Sequence, residues 1–292
     1  WHEDVLREMI ERSFSVAVWL SNPAARRLMS RMTVVPSPPD LYFEVVRALN
    51  SPESDLETVV ERAEQDPAMT AKLLKVSNSA ALGLRHEVTN VGQAISFLGL
   101  ETTRSVILLA HTFSYCDRVR VAGFKIEQLW DHSLRAARMA RQIARCEFAP
   151  RKMMEESFLA GVLHDLGELL LAVNMPAEYS KVLEGVRANP GTTHAEIETQ
   201  LFGATHAEIG AELMAAWNLP LPVVEAIALH HRPAQLLGSG FRPLTAVHVA
   251  DVFSDEAAAT VDEDYIADLG LAERLQKWRD ACDDLVAETE AC

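Results

Sequence analysis

Two adjacent pairs stand out among the ten histidines of this 292-residue chain: His164–Asp165 and His230–His231. Asp251 follows "VHVA" in an apolar stretch, and His132 follows Trp130 in an amphipathic one. Neutral imidazole and carboxylate are the donors that zinc, iron and manganese take. Adjacent helical residues point about 100° apart, so both can still reach a centre lying between their directions. A carboxylate in such a pair can also serve two ions at once. The chemistry this set would support is that of a metal centre. The plain alternative is a group of hydrogen-bonded core histidines. In either case Asp165 and Asp251 need partners, because a lone buried carboxylate is costly or gives up its charge. Spacing by itself leaves both readings open.

The elements that must position these residues read as helices. "DPAMTAKLLKVSNSA" opens with Asp66 as a cap and Pro67 in the first helical position. Met69, Leu73, Leu74 and Val76 fall on one face of it. "TTRSVILLAHTFSY", "IEQLWDHSLRAARMARQIARC", "EESFLAGVLHDLGELLLAV", "PVVEAIALHH", "PLTAVHVADVFSD" and "LAERLQKWRDACDDLVAETE" follow as further helices. His164 and Asp165 sit inside the third of these. Strand alternation and Asn-Gly turns are missing. The fold class expected is all-α, a multi-helix bundle.

Thr-His-Ala-Glu-Ile occurs twice, at residues 193–197 and 205–209. Thr193/Glu196 and Thr205/Glu208 have capping-box spacing, which marks two helix starts. Gly203 between them is a stop signal. "TVVPSPPDLY" carries Pro36, Pro38 and Pro39, which cannot lie inside a helix. It divides an N-terminal arm and linker, residues 1–34, from the body. A softer break near "RVRVAGFK" divides the body into residues 35–118 and residues 119–292.

The formal net charge of −15 argues against gripping duplex nucleic acid or an anionic membrane. No apolar run approaches the about 20 residues that a bilayer requires. Cys116, Cys146, Cys282 and Cys292 show no CxxC spacing, and reduced thiols in a cytoplasmic protein are expected. The chain begins with Trp1, so a longer protein with a domain upstream is one expectation and unseen first residues are the other.

"FLAGVLHDLGELLL" resembles the signature helix of the HD superfamily of metal-dependent phosphohydrolases. "DPAMTAKLLKVSNSA", "VGQAISFLGLETTRSVIL" and "GATHAEIGAELMAAWNLPLPVVEAIALHHRP" resemble the HDOD domain, a bacterial signalling module related to it. The resemblance runs from about Val35 to Asp251. It implies an all-helical fold with an N-terminal half and an HD-like half, often joined to a receiver or other sensory domain. Carried over from catalytic HD-GYP relatives, which hydrolyse cyclic dinucleotides, the metal ligands fall on His132, His164, Asp165, His206, His230, His231 and Asp251. The resemblance thus gives the two pentapeptide histidines unequal roles: His206 to metal, His194 to the surface.

Two departures weigh against catalysis. The relatives place a lysine after the His-Asp pair where this chain has Glu168, and the Gly-rich "LLGSGFRP" is not a proper GYP loop. The expectation is a signalling module holding one or two divalent ions, iron, zinc or manganese. It would work through a protein partner or an upstream sensory or receiver domain, with homo-oligomers and a nucleotide ligand left open. The alternative is a phosphohydrolase acting on a nucleotide or cyclic dinucleotide, with Asp165 bridging two metals. Three further expectations are structural. Asn78 and Ser79 close a helix end, Arg135, Arg138, Arg141 and Arg145 form a solvated stripe, and the C-terminal helix packs on its own domain or on a second copy. His86, His111 and His248 have no assigned partners.

Overall fold

The computed structural model describes residue 20 and residues 22–50, 56–65, 67–79, 88–114, 121–236, 238–254 and 260–290. Every regular element among them is helical. The expectations for Trp1, the Asp66 cap, His86, Cys116 and Cys292 lie outside the described residues.

Helix α1 (Pro23–Arg31) belongs to the arm ahead of the prolines. Asn22 caps it, accepting from the Ala24 amide at 2.9 Å, and Pro23 supplies a preset first turn. The chain after α1 lies against the body. The Asn174 side chain accepts from the Thr33 and Val34 amides and donates to the Val34 carbonyl, each at 2.9 Å. Trp217 donates to the Pro36 carbonyl at 3.2 Å. These bonds satisfy a backbone that prolines keep out of any helix.

The N-terminal half is α2 (Asp40–Asn50), α3 (Leu56–Glu64), α4 (Pro67–Ser77) and α5 (Val91–Ser114). Met69, Leu73 and Val76 of α4 are buried as their spacing predicts. Helix α5 bends at Gly99, whose φ of 77° only glycine adopts freely. Asn78 differs from expectation. Its amide bonds both the carbonyl and the amide of Val88, at 2.8 and 2.7 Å, so it clasps the return of the chain to α5 rather than closing its own helix.

The second half holds α6 (Ile126–Cys146), α7 (Arg151–Leu163), α8 (Leu166–Asn174), α9 (Pro176–Ala188), α10 (His194–Phe202), α11 (His206–Ala216), α12 (Leu221–Leu229), α13 (Pro243–Ser254), α14 (Glu263–Asp268) and α15 (Leu275–Glu290). Helix α6 is the spine, packed on α7, α13 and α15. Its buried face is rich in alanine, including Ala136, Ala137, Ala140 and Ala144. A Cβ at Gly161 of α7 would stand 2.6 Å from the Ala137 Cα, so the close approach of α6 and α7 requires glycine there. Leu134, Ile143, Phe158, Leu159 and Leu163 of these two helices are fully buried. Each such burial stabilises by about 1.5–3 kcal/mol.

Arg141 corrects the expected solvated stripe. It turns from α6 toward α5, donating to Thr102 Oγ1 at 3.0 Å and lying over the Phe158 ring at 4.5 Å. Its guanidinium thus links the two halves, while Arg135 and Arg145 remain exposed. Helix α15 packs on its own domain: Trp278 is fully buried and donates to Glu147 at 2.8 Å.

Candidate metal centre

The sequence predicts one helix through "FLAGVLHDLGELLL". The structure breaks it. Helix α7 ends at Leu163, His164 keeps helical angles, and Asp165 leaves them at φ −98°, ψ 9° before α8 begins. The turn brings α8 against the start of α11, so closely that a Cβ at Gly167 would stand 1.9 Å from the His206 carbonyl oxygen. A packing requirement from a distant helix thus overrides local helix propensity. It also frees the Asp165 carboxylate to face two directions.

Both capping boxes form as read. Thr193 and Thr205 each accept from the amide three residues on, at 3.3 Å, and Glu196 and Glu208 return the bond at 2.8 Å. Gly203 ends α10 with φ 73°. The second box sets His206 at the first position of α11, pointing inward and 1 % exposed.

All seven sequence-predicted ligands meet in one place. One group is His132, His164, Asp165 and Asp251, and the other is Asp165, His206, His230 and His231; within each, the donor atoms lie within 4.8 Å of one another. Asp165 belongs to both. Its Oδ2 lies 3.2 Å from His132 Nε2 and 3.1 Å from His164 Nε2. Its Oδ1 lies 3.4 Å from His206 Nε2 and 3.5 Å from His230 Nε2. Asp251 Oδ1 stands 3.2 Å from His132 Nε2 and 3.3 Å from His164 Nε2.

The backs of the rings are held by acceptors. His164 Nδ1 donates to the Gly161 carbonyl at 2.9 Å and His230 Nδ1 to the Ile227 carbonyl at 2.8 Å. His206 Nδ1 donates to Glu198 Oε2 at 2.7 Å. A carbonyl can only accept, so these protons sit on Nδ1 and the Nε2 lone pairs turn inward. This is how metal-ligating histidines are oriented. His248 adds a further layer. Its Nδ1 donates to the His230 carbonyl at 2.7 Å and its Nε2 accepts from the Asp262 amide at 2.9 Å, with burial holding its pKa down.

The inward atoms fit divalent cations. His230 Nε2 is buried and has no hydrogen-bond partner among the described residues. His132 and His164 approach Nε2 to Nε2 at 3.2 Å, and His206 and His231 at 2.9 Å. Facing lone pairs at these separations need a proton or a cation to share. Burial opposes charge on His132, yet hydrogen bonds that its ring donates to Asp165 and Asp251 outweigh it and push its pKa up to about 9. Burial likewise opposes ionisation of Asp165 and Asp251, and the surrounding imidazoles hold both well below the usual carboxylate range. The centre therefore attracts positive charge, as protons or as metal.

Residue types and motifs do not reveal the supporting residues. His194 stands at the surface as expected, its side chain 39 % exposed, and it also has a partner there. Its Nδ1 lies 3.2 Å from Glu168 Oε1, because α10 lies beside α9 and presents its first turn to a buried carboxylate that needs a counterion. Glu198, fully buried, takes both the amide and the ring proton of His206 at 2.7 Å. The available signal was chemical: a ligand histidine needs an acceptor behind it. Ser254 Oγ reaches His132 Nδ1 at 3.3 Å.

The family model of the HDOD domain matches residues 35–233. The chain belongs to the HDOD domain family. Six of the seven candidate ligands of this HDOD chain fall within the matched residues, and Asp251 lies beyond them. An uncharacterized protein of Treponema pallidum (strain Nichols) is 27% identical over 227 residues, covering 78% of this chain and 43% of that protein. The match therefore spans less than half of that relative. A crystal structure of an HDOD domain protein with unknown function from Geobacter sulfurreducens superposes with a TM-score of 0.74 at 24% identity, covering 94% of this chain and 97% of the other. A candidate metal-dependent phosphohydrolase from Shewanella amazonensis SB2B superposes with a TM-score of 0.58 at 19% identity, covering 96% and 99%. At these identities the likeness is one of fold. Among the described residues, no helix is long and apolar enough to cross a membrane.

Proposed function

We propose that this HDOD chain is a signalling module whose His/Asp centre binds two divalent metal ions, iron, zinc or manganese, and hydrolyses a phosphate ester. One observation supports the reading above all. Asp165 directs Oδ2 toward His132 and His164 and Oδ1 toward His206 and His230, so one carboxylate would serve both donor groups. Bound there, such ions would supply Lewis acidity for phosphate-ester chemistry.

The chain's own residues would do the rest. Asp165 and Asp251 balance the cationic charge. Glu198 and the Gly161 and Ile227 carbonyls keep three rings in the tautomer that offers Nε2. Glu168 would repel a phosphate if it stood alone, but its pairing with His194 removes that obstacle. Arg232, next to His231 in the chain and 3.4 Å from Glu208, brings a cation to the mouth of the centre.

A second reading rests on Glu168 itself. It stands where catalytic relatives carry lysine, which favours a centre that binds metal and signals to a partner protein or linked sensory domain without turnover. Hydrolysis of a broad panel of phosphate esters by metal-replete protein separates the two. The hydrolase reading expects turnover that Asp165→Ala abolishes. Bound metal with no turnover across the panel contradicts it and leaves the sensor.

A further inference from the structure

At the Nδ1 edge of His206, opposite the Nε2 that faces Asp165, lies a second cluster of acids. Glu168 of α8 and Glu198 of α10 each bring a carboxylate oxygen within 4.8 Å of the other and of a His206 ring nitrogen. Both residues are buried, Glu198 completely. Two buried carboxylates this close repel each other and call for positive charge between them. The neighbouring histidines meet part of that need. His206 gives its amide and ring protons to a single oxygen, Glu198 Oε2. His194 lies 3.2 Å from Glu168 Oε1.

Two polar atoms are left over. Glu198 Oε1 is buried with no hydrogen-bond partner among the described residues. The same holds for the hydroxyl of Tyr179, a fully buried residue of α9, the helix between α8 and α10. Burial and then the charges of Glu168 and Glu198 push the Tyr179 pKa up, so the hydroxyl faces that pair. An unmet hydroxyl and an unmet carboxylate oxygen in the interior are both costly, and one cation between them would relieve both.

We propose that Glu168, Glu198 and Tyr179 form a site for an oxygen-coordinated divalent cation of the calcium or magnesium class, separate from the His/Asp centre. Carboxylate and hydroxyl oxygens suit these hard cations, whereas the imidazoles of the centre suit zinc or iron. The ion would take Glu198 through Oε1, which leaves Oε2 to hold the His206 ring. The partly exposed His194 side chain covers Glu168 and marks the way in from solvent.

Calorimetric titration of the full chain, first supplied with zinc to occupy the His/Asp centre, tests this with calcium and magnesium as probes. At least one of the two should bind, at about one ion per chain. Glu168→Gln and Tyr179→Phe each nearly keep the size of the side chain. Both should weaken that binding at least about tenfold while zinc content stays native. Asp165→Ala should retain it, because Asp165 belongs to the other donor groups. Circular dichroism checks that each variant folds. A native protein that takes up neither calcium nor magnesium overturns the proposal. So does binding that is unchanged in either folded variant, or that vanishes in folded Asp165→Ala, since the ion would then sit among the ligands of the centre. Binding is read without turnover. A protein that holds calcium or magnesium here and cleaves no phosphate ester contradicts only the hydrolase reading, and one that cleaves without such an ion contradicts only this assignment.

Discussion

Glu168 Oε1 lies 3.2 Å from His194 Nδ1, and the pair ties α8 to α10 beside the metal centre. Glu168 pushes the His194 pKa up from an ordinary 6.5 to about 9, with burial opposing the shift. Burial opposes the charge on Glu168 too, and His194 overcomes it to hold the carboxyl below its usual range. The first turn of a surface helix thus serves as counterion to a buried acid.

That pair makes stability depend on pH in a definite direction. The folded-state pKa of His194 lies above its unfolded value, so its contribution is complete below pH 6.5 and is lost as pH rises through about 9. Thermal unfolding midpoints should therefore fall more steeply from neutral to alkaline pH in the native protein than in His194→Gln. Parallel curves for the two proteins would contradict the pairing.

Glu198 acts on the centre through His206, accepting its ring proton at 2.7 Å. Removing the acceptor in Glu198→Ala frees the His206 ring to change tautomer and rotate. Metal affinity should drop by roughly 10–100-fold, the usual consequence of losing such a support. Competition with a chelator of known strength measures it, with circular dichroism as the control for folding. Unaltered affinity in a folded variant would remove Glu198 from the account.

Gly167 tests the helix break. Alanine there would set its Cβ 1.9 Å from the His206 carbonyl oxygen, and neither backbone can yield cheaply. Gly167→Ala should destabilise the protein by about 1–3 kcal/mol or more. Gly210→Ala is the matched comparison, since its Cβ would meet nothing closer than 3.4 Å. Denaturant unfolding of both variants checks this. Equal stabilities would mean that α8 and α11 are not in close contact.

Much of this arrangement is legible in the chain because its causes are local. Thr193 and Thr205 announce their helices through neighbours three residues away, and Gly203 announces a stop. Six of the seven candidate ligands stand out by residue type and setting, and His206 is singled out only by the family resemblance. The break at Asp165 is different. Its cause is the approach of His206, forty-one residues later by numbering, which no local pattern encodes. His194 and Glu168 likewise meet only after α8 and α10 dock. Arg141 reads as one of four arginines on a helix surface, and only the neighbouring α5 turns it inward.

The central claim is that these side chains form one two-ion centre. Elemental analysis of the full chain as purified, alongside Asp165→Ala, tests it most directly. Because Asp165 faces both donor groups, the native chain should hold about two divalent ions and the variant should lose most of both. A folded native protein that holds no metal when supplied with iron, zinc or manganese would contradict it, as would a variant that retains the native complement.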